Sequence, residues 1–179
     1  MEPWILTFSG RRVNPLDLRP EDISIEDIAH GLACINRFNG HAPLPVSVAQ
    51  HSVGVSLACH ELDARQGLLH DAAEAYLGDV TKWLKATSAF AAYREAEDRA
   101  QRTIYKVFGC PEEQADSVTE ADRWMVRVEA TAAWGELWQT GVNGYEAMDP
   151  KEVNLRIGPW PNVPWQVAKT MFLARFERV

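Results

Sequence analysis

Between residues 68 and 75 the chain reads Leu-Leu-His-Asp-Ala-Ala-Glu-Ala, an apolar helix-forming run that carries His70, Asp71 and Glu74. A charge buried in such surroundings without a partner is costly. His70 and Asp71 point about 100° apart on a helix, yet both can reach one ion placed between them. Glu74 lies at i+4 from His70 and i+3 from Asp71, so three polar groups leave one flank of the segment. Either that flank is an exposed edge with solvated acids, or the fold brings compensating groups or a cation against it.

The remaining chain is punctuated as helices. Trp4 to Val13 forms short apolar stretches around Ser9-Gly10-Arg11-Arg12, the pattern of a small hairpin or irregular arm. Ser24 with Asp27 three residues on is a capping pair, and Ile25, Ile28, Leu32 and Ile35 then predict a helix to about Asn36. The breakers from Asn39 to Pro45 mark a loop, and Val46 to Leu57 opens a second helical segment. Leu62 to Tyr76 is expected to be one buried helix that contains His70 and Asp71 and stops at Gly78-Asp79. Tyr93 to Phe108 has the spacing of a long amphipathic helix. Ser117 and Glu120 read as a capping box opening a helix towards Trp138, broken between Gly141 and Gly144. Asp149 followed by Pro150 caps a short segment, and Trp165 to Arg178 closes the chain as a helix. The expectation is an all-α fold, a compact helical bundle with a small N-terminal hairpin or arm.

At 179 residues this is one domain. Its 46% hydrophobic and 24% charged residues exclude a disordered or collagenous chain. The formal charge of −7 argues against a nucleic-acid polymer or an anionic membrane as partner, so a phosphorylated partner needs a local site. No apolar run approaches the roughly 18–20 residues of a membrane span, and the first residues carry neither a basic nor an apolar leader region, so the expected location is cytoplasmic. Cys34, Cys59 and Cys110, odd in number and far apart, read as reduced thiols.

A cation at His70 and Asp71 needs further ligands, and imidazole with carboxylate suits zinc, cobalt, manganese or iron better than magnesium or calcium. His51, in an apolar segment, and Asp122, near the start of a later helix, are the candidates. Taken singly, His51 also fits a capping or core histidine, and Asp122 an acid favoured by the helix dipole. Together His51, His70-Asp71 and Asp122 resemble the metal set of the HD-domain phosphohydrolase superfamily. The run from His70 through Glu74 and Asp79 to Lys85 resembles the bacterial 5′-deoxynucleotidases of that superfamily, and also the phage enzymes that strip phosphates from dATP. The resemblance covers roughly Arg37 to Glu129. Phe38 departs from it, standing where the family has a tryptophan. Ala75 stands where guanosine tetraphosphate hydrolases carry an acid after the glutamate.

The resemblance implies an HD-type domain, a divalent transition metal (cobalt, manganese or zinc) on His51, His70, Asp71 and Asp122, and removal of 5′ phosphate from 2′-deoxynucleotides. It makes Glu74 the acid/base group and Asp79 the acceptor for the sugar 3′-hydroxyl. Arg37 fits a phosphate clamp because a guanidinium offers parallel donors. Lys85 and His41 are further phosphate candidates, and Phe38 could pack on sugar or base. A small nucleotide is the expected partner and a homo-oligomer the expected state. A cyclic or signalling nucleotide phosphodiesterase and a non-catalytic metal-stabilised binding module stay open as alternatives.

Overall fold

In the computed structural model, which describes residues 3–135 and 148–179, the expected helical spacing becomes the buried face of α1 (Ile25–Cys34), with Ile28, Ala29, Leu32 and Ala33 inward. Ser24 is the residue before the first turn, but its side chain makes no capping bond. The arm is a two-stranded antiparallel sheet, β1 (Ile5–Leu6) with β2 (Arg12–Val13). Its turn is tied to α1 where the Ser9 amide and hydroxyl donate to Asp27 at 2.7 and 2.8 Å.

The centre of the fold is α2 (Val48–Ala58), capped by Ser47 and buried at every residue except Leu57. A helix buried all round must satisfy its polar groups internally. Ser52 donates to the Val48 carbonyl at 2.9 Å, Ser56 to the Ala64 carbonyl at 2.7 Å, and the Gln50 amide to Pro161 at 2.5 Å. Val48, Ala49 and Val53 join one apolar cluster with Ile28, Leu32, Leu69, Ile104 and Phe172. Val55 and Ala58 join a second with Val118, Met125 and Val153. Helix α2 thus lies on the seam of two cores.

The single helix expected over Leu62–Tyr76 is instead two, α3 (Ala64–Leu69) and α4 (Glu74–Leu77), with His70 and Asp71 on the turn between them. The turn is tightened by bonds from Ala72 to Leu69 and from Glu74 to Asp71, three residues apart. Gln101 explains the break. Its amide donates to the Leu69 carbonyl at 2.7 Å and accepts from the Ala73 N–H at 3.0 Å, replacing the bond these two groups would share in an unbroken helix. Gln101 belongs to α6 (Ala91–Val107), which follows the short α5 (Lys82–Lys85).

Helix α7 (Asp116–Trp134) begins after Ala115, not at Ser117. The Ser117 hydroxyl donates to Asp63 at 2.5 Å, a tertiary contact that takes it from the capping role. The helix ends at Gly135, whose φ of +54° suits glycine; the rest of the expected stretch to Trp138 and the Gly141–Gly144 break lie outside the described residues. Asp149 caps α8 (Pro150–Ile157) by accepting from the Lys151 amide at 2.8 Å, with Pro150 in the first turn. Helix α9 (Trp165–Phe176) packs on α1 and α2. The architecture is the expected all-α bundle with a small hairpin. Among the described residues no helix is long and apolar enough to cross a membrane.

Candidate metal centre

Helix α2 brings His51 to the α3–α4 turn, and α7 brings Asp122 beside both. His51 Nε2 lies 3.3 Å from His70 Nε2, 3.7 Å from Asp71 Oδ2 and 3.1 Å from Asp122 Oδ1. His70 Nε2 lies 3.2 Å from Asp71 Oδ2 and 3.9 Å from Asp122 Oδ1. Donor atoms of His51, His70 and Asp71 all lie within 4.8 Å of one another, and this group could hold a metal ion. The two histidines are buried, while the Asp71 and Asp122 side chains are 22% and 37% exposed, so the group is reached from solvent past the carboxylates.

The back of each imidazole decides what its front offers. His70 Nδ1 stands 2.9 Å from the Gly67 carbonyl, which only accepts, so Nδ1 carries the proton and neutral His70 presents a lone pair at Nε2. His51 Nδ1 stands 2.9 Å from Glu129 Oε1 with the same result. Two Nε2 lone pairs then face each other at 3.3 Å with two carboxylates beside them. That set suits a cation. Burial and the Arg37 charge push the His51 pKa down, but Glu129 and Asp122 outweigh them and raise it to about 9. Burial also disfavours the Asp71 anion, yet His70, His51 and Arg37 hold its pKa well below the usual carboxylate range. Asp122 is lowered by His51 and His70 against the same burial effect.

Glu129 is the residue that sequence reasoning missed. It is 1% exposed and accepts from Arg37 Nε at 2.8 Å while orienting His51. Against burial, Arg37 and His51 keep its pKa low. The available signal was its spacing of seven residues from Asp122, two turns along one face of α7. Arg37 sits 3.7 Å from Asp71 as well, its backbone N–H held by the Val46 carbonyl at 2.8 Å. Its guanidinium is thus a partner of Glu129 and Asp71, with only part of its fork left for a ligand. After it, Phe38, Asn39 and Gly40 take φ of 57°, 52° and 72°, a left-handed turn that sets Phe38 edge-on to Trp134 at 5.0 Å. Such strain is uncommon for a bulky residue and concentrates at functional sites.

Glu74 lies next to the group, 5% exposed, with Oε1 at 3.4 Å from Lys85 and Oε2 without a hydrogen-bond partner among the described residues. Burial, with Asp71 and Asp79 adding repulsion, pushes its pKa up to about 9. Half-buried Asp79 follows Gly78, and burial raises its pKa too. Lys85 reaches Glu97 at 2.5 Å as well as Glu74, so its charge is occupied by acids. His41 is exposed, three residues beyond Phe38. A cavity of about 380 Å³ lies between α7 and α8, lined by Val128, Val153 and Trp160 among others, and contains none of these residues.

No protein-family model matches the chain. The chain is 36% identical to the uncharacterized protein YfdR of Escherichia coli (strain K12) over 126 residues, 70% of each chain. The chain belongs to the YfdR family. It is also 41% identical over 121 residues to an uncharacterized protein of Rhodobacter capsulatus, matching 60% of this chain and spanning 59% of that relative's length. Both relatives are described as uncharacterized, so membership of the YfdR family brings no activity with it and the chemistry must be argued from the site.

Proposed function

We propose that the chain is a metal-dependent phosphohydrolase that removes 5′ phosphate from 2′-deoxynucleotides, with His51, His70, Asp71 and Asp122 holding a divalent cobalt, manganese or zinc ion. The observation that carries this reading is the pair of facing Nε2 lone pairs, each fixed by an acceptor at the opposite nitrogen, with two carboxylates alongside. A bound ion of this kind acidifies a coordinated water and offsets phosphate charge.

The chain's own groups supply the rest. Glu74, buried and protonated more readily than an ordinary glutamate, holds or passes a proton through its Oε2, which has no partner among the described residues. Arg37 offers its remaining guanidinium donors to phosphate oxygens while Glu129 anchors its Nε. Lys85 adds positive charge beside Glu74, and Asp79 accepts from a sugar hydroxyl. Phe38, backed by Trp134, packs against sugar or base. His41 has no part in this reading.

Incubating purified protein with cobalt, manganese or zinc and a panel of deoxy- and ribonucleotides tests the reading. The expected result is release of phosphate, diphosphate or triphosphate from deoxynucleotides. Absence of all three from every deoxynucleotide refutes it.

A further inference from the structure

We propose that Tyr93, Glu97 and Gln101 of α6 are positioning residues that hold the turn carrying His70 and Asp71, the Glu74 carboxylate and the turn carrying Asp79 in register with one another. The inference rests on reading the cluster as a hydrolytic metal centre. The three residues are four apart and so share one face of the helix. Ala96, Ala100 and Ile104 bury the neighbouring face in the core, which fixes the stripe in place.

Each member reaches a different segment of the candidate site. Gln101 stands in for the missing helical bond between Ala73 and Leu69, the residues that bracket His70, Asp71 and Ala72. Its side chain thereby keeps the turn open at the point where both metal-facing groups leave the backbone. Glu97 takes Lys85 Nζ at 2.5 Å and so sets that ammonium 3.4 Å from Glu74 Oε1. Tyr93 donates its hydroxyl to the Gly78 carbonyl at 2.7 Å, pinning the turn that precedes Asp79, and its oxygen lies 3.3 Å from Glu97. Arg94 adds a bond to the Thr87 carbonyl at 2.8 Å that ties the end of the α5 segment to the same helix. The 69–73 turn, the Lys85 ammonium beside Glu74 and the Gly78 carbonyl thus share one support on α6.

The test compares wild type with Gln101→Leu, Gln101→Glu, Glu97→Gln and Tyr93→Phe. Amide hydrogen exchange is read on metal-free protein, and cobalt(II) chloride titrations are read by visible absorption. Gln101→Leu should speed exchange at Ala73 to Leu77 at least tenfold relative to α2 and α9, weaken cobalt binding by about 10- to 100-fold and alter the cobalt bands. Gln101→Glu keeps the acceptor for the Ala73 N–H and should recover part of the affinity. Glu97→Gln and Tyr93→Phe should leave cobalt affinity within threefold and lower kcat more than they change KM. Unchanged exchange, spectrum and affinity in Gln101→Leu overturn the inference. Acceleration spread evenly over the whole chain also overturns it, since that reports lost stability alone. A wild type that binds no cobalt, or binds it and hydrolyses nothing, overturns the functional reading instead, while the exchange data still decide whether the stripe holds the turn.

Discussion

Glu129→Gln tests the logic of the site most directly, because the substitution preserves shape and removes charge. The carboxylate meets two donors, Arg37 Nε at 2.8 Å and His51 Nδ1 at 2.9 Å. An amide has one oxygen and one NH2 group, so it can serve only one of these donors while setting its own NH2 against the other. Removing one partner of a buried ion pair costs about 3–5 kcal/mol. Arg37 retains Asp71 at 3.7 Å and is 13% exposed, which places the expected loss at the lower end, about 3 kcal/mol. For a domain of this size that is a fall of about 6–12 °C in Tm. A second effect concerns the cation. Without an anion behind it, His51 is free to carry its proton on Nε2, and affinity for zinc should fall about 10- to 100-fold, or about 1.4–2.7 kcal/mol. Denaturant unfolding of metal-free protein reads the first effect and calorimetric titration with zinc the second, with Glu152→Gln, exposed on α8, as control. Zinc affinity unchanged in Glu129→Gln would refute the argument from tautomers, and an unchanged unfolding midpoint would refute the burial argument.

Other outcomes follow from the same geometry. Metal-free protein should lose stability as pH rises. The folded-state pKa values of His51 and Glu74 are raised to about 9 from 6.5 and 4.5, so the folded chain keeps protons that the unfolded chain releases. The His51 contribution is complete below about 6.5 and gone above about 9, with a slope of at most about 1.4 kcal/mol per pH unit for each group. Thermal midpoints in chelator at pH 6 and 9 check this, and a flat or rising trend contradicts it. Glu74→Gln should abolish hydrolysis and leave cobalt binding in place; full activity would remove Glu74 from the chemistry. Gly31→Ala would put a Cβ 2.9 Å from Ala75 Cβ and 3.1 Å from its carbonyl oxygen. Overpacking of about 1–3 kcal/mol against about 1 kcal/mol gained in helix propensity gives a net loss of up to about 2 kcal/mol by denaturant titration. A gain in stability would show that α4 yields freely there.

His70, Asp71 and Glu74 stood out in the sequence because a histidine and acids in apolar surroundings demand partners, whereas His51 and Asp122 each fitted an ordinary helical role and were set beside them by the resemblance. Glu129 did not stand out, since Val128-Glu129-Ala130 reads as ordinary helix and its two partners lie far back in the chain. The break at His70 was hidden for a similar reason. Nothing in the alanine-rich run stops a helix, and the cause is Gln101, 28 residues beyond Ala73, whose N–H it takes. Ser117 carried a valid capping signal, but a tertiary contact with Asp63 overrode it. His41 was chosen by side-chain chemistry alone, and the turn beginning at Phe38 leaves it exposed. Local signals therefore located most of the helices and the His70-Asp71 pair, while long-range contacts set the orientation of the cluster.

The Glu129 bridge also bears on the order in which the molecule assembles. Arg37 and Glu129 are 92 residues apart and His51 and Glu129 are 78 apart, among contacts that close only after long loops have been brought together at an entropic cost. A nascent chain holding His51, His70 and Asp71 has ligands but no anion to direct the first imidazole, because the residue that does so arrives with α7. On the proposed reading of the site, capture of a cation is then a late event that reports completed folding. In a refolding reaction run with cobalt present, colour should rise with the last kinetic phase rather than with early helix formation.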